Sequence, residues 1–127
     1  MSIEERLDAH QLRLISEVVR NVYKKKKTAA NRAFDAFKET LPATVSKWHA
    51  GVLMAVRGLV KFGFSDSKSI FYRAKNMSLE ELEETIQTLQ RLQGRAMRDE
   101  YDDGYMAATI YILRQFAIIK KSKLIQE

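Results

Sequence analysis

The residues of this chain that could do chemistry are mostly lysines and arginines, and they are densest in the run of four from Lys24 to Lys27. Such side chains neutralise phosphate groups, a contact that gives nucleic-acid affinity independent of base sequence. An anion-binding patch is therefore one of two interpretations of the run. The alternative is an ordinary helix end, where the helix dipole favours cations and the chain turns. The candidate phosphate-binding residues are Arg13, Arg20, Lys24, Lys25, Lys26, Lys27, Arg32 and Lys47.

Catalytic residues are scarce. Two histidines, His10 and His49, lie far apart in the sequence without a nucleophile pattern around either, and we interpret both as packed or surface side chains. Zinc-protease, phosphate-loop and nucleophile-elbow motifs do not occur. The chain has no Cys, which excludes disulfides, thiolate zinc sites and cysteine nucleophiles. We predict that the protein is not an enzyme and uses no cofactor and no metal.

The acidic turn from Asp99 to Gly104 is the one stretch that resembles a metal ligand set. An EF-hand loop starting at Asp99 would place Tyr101 at its third position and Ile110 at its twelfth. Calcium binding requires an oxygen donor at the former and a glutamate at the latter. We therefore expect these acids to cap the helix that follows.

The net charge of +6 over 127 residues is unevenly distributed. Residues 41–77 hold six basic side chains and one acidic one, whereas residues 78–104 hold three basic and eight acidic ones. A basic body suits an anionic partner over part of its surface. A solvated helical protein can carry the same pattern by chance.

No segment predicts a membrane association. The N-terminus is acidic and has no long apolar run, and the most apolar run, 105–119, is too short to span a bilayer and contains Arg114 and Gln115. We expect a cytoplasmic protein.

Apolar residues recur at intervals of three and four, which predicts an all-α fold: one domain over 1–127, built as a compact bundle of five to six helices. The stretch from Pro42 to Phe62, with the only Trp, is the predicted core helix, ending at an αL cap on Gly63. Within it, Gly51 either permits close packing of a neighbour or ends a shorter helix. We expect the last few residues to be frayed. Of the other predicted helices, the first starts at Ile3 with a capping box of Ser2 and Glu5, the second runs from Ala29 to Leu41, and a short third one follows Ser65–Ser67. A long helix then follows a capping box of Ser78 and Glu81 and carries a basic row of Arg91, Arg95 and Arg98 in its last turns. The final helix runs from Tyr105 to about Lys121.

The segment PATVSKW, from Pro42 to Trp48, resembles the opening of the recognition helix in helix-turn-helix repressors. In that family this helix lies in the major groove with its N-terminal side chains at base edges. The resemblance covers about 16 residues. It implies that Ala43, Thr44, Ser46 and Lys47 face DNA, whereas Val45 and Trp48 pack inward.

Two function classes remain in balance. The first is a small basic nucleic-acid-binding accessory or regulatory protein that uses lysine and arginine contacts to phosphates. The second is a helical adaptor or inhibitor, for example a phage-type accessory protein, that binds a host protein through an apolar helix face. A helix that is apolar almost all round, such as 105–119, is buried in its own fold or against another subunit, so a homodimer through it is also possible.

Overall fold

A computed structural model of the chain describes residues 2–95 and 99–126, and over these residues it confirms the all-α bundle. A single 3-10 turn covers Ile3–Glu5. The six α-helices are α1 (Ala9–Tyr23), α2 (Lys27–Glu39), α3 (Lys47–Phe62), α4 (Ile70–Asn76), α5 (Leu79–Arg95) and α6 (Glu100–Gln126).

Helices α1, α3 and α6 run in the same direction, so their C-termini meet at one end of the bundle. Along α1 and α6, the Tyr111 hydroxyl donates to the Leu12 carbonyl and Ser16 Oγ donates to Gln115 Oε1. Gly63, at the end of α3, lies against Val22 in the last turn of α1. The predicted αL conformation of Gly63 is wrong, because its φ is −69°. Helix α2 runs back against α1, and α5 runs back against α6.

The core forms where α3 and α6 pack side by side, and two glycines set their separation. A Cβ on Gly51 would overlap the carbonyl oxygen of Tyr101, and a Cβ on Gly104 would overlap that of Trp48. Each glycine thus lets its helix approach the backbone of the other more closely than a residue with a Cβ would allow. The question left open by the sequence is settled: α3 continues unbroken through Gly51.

The start of α1 differs from the prediction. The Asp8 carboxylate accepts the N–H of Gln11 at 2.8 Å, and Gln11 Oε1 accepts the N–H of Asp8 at 3.0 Å. This pair closes a capping box. The box predicted at Ser2 and Glu5 is wrong, since the Ser2 side chain makes no capping hydrogen bond.

The start of α3 is also later than predicted. Ser46 caps this helix by accepting the N–H of His49 at 3.2 Å, so Pro42 lies in the segment 40–46 that joins α2 to α3. Trp48 is buried as expected, and Val45 is half-buried.

The last helix is longer than predicted at both ends. Asp99 accepts the N–H of Asp102 at 2.8 Å, which confirms the capping role of the acidic turn and places Gly104 inside α6. Helix α6 is described as far as Gln126, and the expected fraying of the last few residues stays a prediction.

The boundaries of α4 and α5 differ less from the predicted ones. Ser69, rather than the Ser65–Ser67 segment, caps α4 by accepting the N–H of Phe71 at 3.2 Å. The capping box of Ser78 and Glu81 is confirmed, with hydrogen bonds of 3.3 and 3.1 Å. Arg98, predicted to close a basic row on α5, lies outside the described residues. None of the helices over 2–95 and 99–126 combines the length and apolar character needed to cross a bilayer.

Candidate nucleic-acid interface

The end of the bundle where α1, α3 and α6 terminate carries a concentration of lysines around Tyr23. The ammonium groups of Lys123 and Lys120 lie 4.6 and 5.9 Å from the centroid of the Tyr23 ring. The same ring contacts Phe116 of α6 at 6.3 Å between centroids. Aromatic packing and cation–π attraction therefore fix the end of α6 beside the end of α1.

A short helix adds one more lysine at the same place. Lys120 Nζ donates to the Lys75 carbonyl at 2.8 Å, which holds α4 against α6. Lys75 Nζ in turn donates to the Phe64 carbonyl at 3.4 Å and lies 4.9 Å from the Tyr72 ring centroid. We call the combined group the lysine cluster; it comprises Lys24, Lys25, Lys26, Lys27, Lys75, Lys120 and Lys123.

The charges of the lysine cluster affect one another. Burial lowers the pKa of Lys75, and the positive charge of Lys25 lowers it further. Burial also lowers the pKa of Lys120, with a further contribution from the charge of Lys123. Both shifts have the direction expected when a cation loses water and has cationic neighbours.

No ion pair joins the lysine cluster to a carboxylate within the described part of the chain. The two ion pairs found there join Arg114 to Glu4 at 3.9 Å and Lys121 to Glu83 at 3.1 Å, and neither involves the lysine cluster. Seven cations drawn from three parts of the chain thus face solvent or backbone carbonyls without a counter-ion from the described residues.

The turn between α1 and α2 places one of these lysines, Lys25, in an unusual backbone conformation. The N–H of Lys26 donates to the Asn21 carbonyl at 2.8 Å and that of Lys25 to the Val22 carbonyl at 3.1 Å, the pattern of a Schellman motif. Lys25 occupies its left-handed position with φ of 61°, where glycine is favoured. A lysine at this position keeps a positive charge at the expense of backbone strain.

The helix dipole explains the positions of only two of the four lysines between α1 and α2. Lys24 and Lys25 follow the C-terminus of α1, where cations are favoured, as the alternative interpretation predicts. Lys26 and Lys27, however, are the cap and first residue of α2, where the dipole disfavours cations. The Lys26 side chain makes no capping hydrogen bond, and the first turn of α2 carries no acid. These two charges are therefore not explained by helix stability.

The structure separates the predicted phosphate-binding residues into two groups. Lys24 to Lys27 belong to the lysine cluster, and Arg20 is exposed one turn before it on α1. Arg13 and Arg32 are exposed on the flanks of α1 and α2. The other group, Thr44, Ser46 and Lys47, is exposed at the opposite end of the bundle, separated from the cluster by the length of α2, which is about 20 Å.

The helix-turn-helix interpretation stays a prediction. Seven residues, 40–46, join α2 to α3, whereas the motif uses a turn of about three to four residues. Thr44 precedes the first residue of α3, and Ser46 is its cap, with Oγ 2.7 Å from His49 Nδ1. The Ser46 hydroxyl is therefore already engaged with its own helix.

The two histidines have separate surroundings. His10 is exposed on α1, while His49 is half-buried and packs edge-on against the Trp48 ring at 5.0 Å between centroids. The Arg6 guanidinium carbon lies 4.3 Å from the centroid of the same Trp48 ring. Burial lowers the pKa of His49, and the charge of Arg6 lowers it further. Among the described residues, no three His, Asp or Glu side chains converge as a metal ion would require.

Three members of the lysine cluster, Lys75, Lys120 and Lys123, were not among the binding residues predicted from the sequence. Lys120 and Lys123 lie three residues apart, a spacing that puts them on one helical face. This signal was available, but it required α6 to continue past Lys121, where the predicted helix ended. Lys75 could be placed only by the packing of α4, which the sequence pattern does not specify.

Comparison with known proteins adds no assignment, because no family model, curated protein or solved structure matches this chain.

Proposed function

We propose that this chain binds nucleic acid through the lysine cluster, by contacts to phosphate groups that do not depend on base sequence. The observation that carries this proposal is the packing of Lys120 and Lys123 on the Tyr23 ring, which brings them to the lysine run after α1, with no ion pair between the lysine cluster and a described carboxylate. Unbalanced, partly desolvated cations gain most from an anion that brings several charges at once. A polyphosphate backbone supplies such charges at regular spacing.

The direct experiment is binding of labelled duplex DNA, single-stranded DNA and RNA, followed by fluorescence anisotropy at several salt concentrations. Four or five phosphate contacts predict that the affinity falls by about 10² to 10³ between 50 and 200 mM salt. Equal affinity for several unrelated sequences supports backbone contact. Failure to bind any of the three nucleic acids at about 50 mM salt would contradict the proposal.

Sequence-specific DNA binding through Thr44, Ser46 and Lys47, a homodimer and a cytoplasmic location stay predictions. For the homodimer, α6 provides limited support. Its large apolar side chains are mostly buried within the monomer, and those exposed among the described ones are Tyr105 and Ile118.

A further inference from the structure

A groove between α3 and α4 contains three of the five large apolar side chains that are exposed among the described residues. Met54, Phe62 and Tyr105 are 42, 41 and 38 % exposed, and all three line this groove. Its floor includes Phe71 and the backbone of Gly58. Single exposed apolar side chains are common on protein surfaces, but contiguous ones mark interaction sites.

The dimensions of the groove suit side chains of a partner protein. Its volume is about 290 Å³, at the lower limit for small-molecule pockets. Met54, Gly58 and Phe62 are spaced by four residues on α3, so the groove follows this helix for about 12 Å. A partner helix presenting apolar residues on successive turns would match this length. Met54 has a flexible side chain of the kind that adapts to such anchors.

The positive charge beside the groove favours a partner that carries acidic side chains. Arg57 and Lys61 are exposed on α3 beside Met54 and Phe62, and Lys68 lines the opposite side. Asp66 also lines it, but its carboxylate accepts the backbone N–H of Lys68 at 3.0 Å. Residues 41–77 contain no other acid. The Phe62 end of the groove is therefore positively charged.

The Tyr105 end differs, because the exposed Asp102 lies about one turn before Tyr105 on the same face of α6. Favourable pairing with an acidic partner is thus confined to the Phe62 end. This asymmetry fixes where the acids of a bound helix would lie.

We propose that the α3–α4 groove binds an amphipathic helix of a partner protein, with apolar residues against Met54, Phe62 and Tyr105 and with acidic residues beside Arg57, Lys61 and Lys68. This surface is distinct from the lysine cluster: its apolar floor carries the contact, and its cations orient the partner. Nucleic-acid bases stacked on Phe62 and Tyr105 would be the competing occupant.

The test is selection of binders from a library of random displayed peptides, using the full chain as bait. We expect enriched sequences with Leu, Ile or Phe at positions i, i+4 and i+7 and with Asp or Glu toward one end. A selected peptide should bind the Met54→Glu variant and the Phe62→Ser variant about tenfold more weakly or worse. Ile118→Glu, a change of the same kind on the exposed face of α6, should leave peptide affinity unchanged. Circular dichroism and thermal unfolding establish that each variant is folded.

Several outcomes would overturn the groove assignment. These are no enrichment, enriched peptides without acids, or a selected peptide that binds Met54→Glu as well as the original chain. Loss of oligothymidine binding in Phe62→Ser, with no peptide enriched, would assign the groove to nucleic acid instead. The Lys26→Ala/Lys27→Ala variant separates the two proposals, since it should lose nucleic-acid affinity and keep peptide affinity.

Discussion

The ammonium group of Lys123, near the end of α6, lies 4.6 Å from the centroid of the Tyr23 ring at the end of α1. One hundred residues separate the two in sequence. Their contact, with that of Lys120 on the same ring, brings the basic end of α6 to the lysine run that follows Tyr23. The basic surface is consequently a product of helix packing, with the Tyr23 ring at its centre.

Tyr23 should therefore organise the binding surface through its ring. We expect Tyr23→Leu to weaken nucleic-acid binding by about two- to fivefold, as for loss of an exposed cation–π contact worth about 0.5–1 kcal/mol. Tyr23→Phe keeps the ring and should bind like the original chain. Anisotropy titrations at low salt measure both. If the phenylalanine variant were as weak as the leucine variant, the ring would not be the organising contact.

Replacing Lys25 should change both the stability of the fold, through backbone strain, and the affinity for nucleic acid, through charge. Because glycine has no steric penalty at φ of 61°, Lys25→Gly should raise the free energy of unfolding by about 1 kcal/mol. The same change should reduce the slope of log affinity against log salt by about 1, for one lost phosphate contact. Lys25→Ala is the matched control, since it removes the charge and keeps the strain. Equal stability of the two variants in urea unfolding would count against the strain at this position.

The close approach of α3 and α6 gives a prediction about stability alone. Gly51→Ala and Gly104→Ala should each lower the free energy of unfolding by about 3 kcal/mol, because the new Cβ meets a backbone carbonyl that cannot rotate away. Gly94→Ala is the control on α5. Apart from its chain neighbours and the backbone of its own helix, no described atom lies within 4 Å of its Cβ position, so alanine should gain about 1 kcal/mol of helix propensity. A stable Gly51→Ala variant would contradict the packing of these two helices.

His49 should make the fold sensitive to acid. Its pKa is lowered in the folded state, so the unfolded chain takes up a proton first as the pH falls below about 6.5. The folded state therefore loses stability from about pH 6.5 downward until the pH is below both pKa values. In urea titrations between about pH 7 and 5, His49→Gln should show a shallower loss of stability than the original chain. An unchanged profile for His49→Gln would remove His49 as the cause.

Much of the fold follows from local sequence, and the exceptions have physical causes. Apolar spacing predicted the helices, and the capping pair Ser78 and Glu81 was visible because its geometry depends on four consecutive residues. The starts of α1 and α3 were misplaced because Ser2 and Pro42 have side chains suited to a helix start that the chain does not use. Asp8 and Ser46 are the caps it does use.

The candidate surfaces were less predictable than the helices. Lys24 to Lys27 stand out in the sequence, but Lys75 joins them only through the packing of α4 on α6. Phe62 ends the stretch that was predicted as the core helix. Phe62 is nonetheless 41 % exposed, because α3 ends beside the short helix α4, which leaves that position uncovered.

The most direct test of the central claim compares two variants that remove the same charge from opposite ends of the bundle. Lys26→Ala/Lys27→Ala removes two exposed cations of the lysine cluster, and Lys38→Ala/Lys47→Ala removes two exposed cations at the far end. Salt titrations of labelled DNA should show that the first variant lowers the slope by about 2 while the second retains the original slope. An equal reduction in both variants, or a larger one in the second, would contradict binding through the lysine cluster.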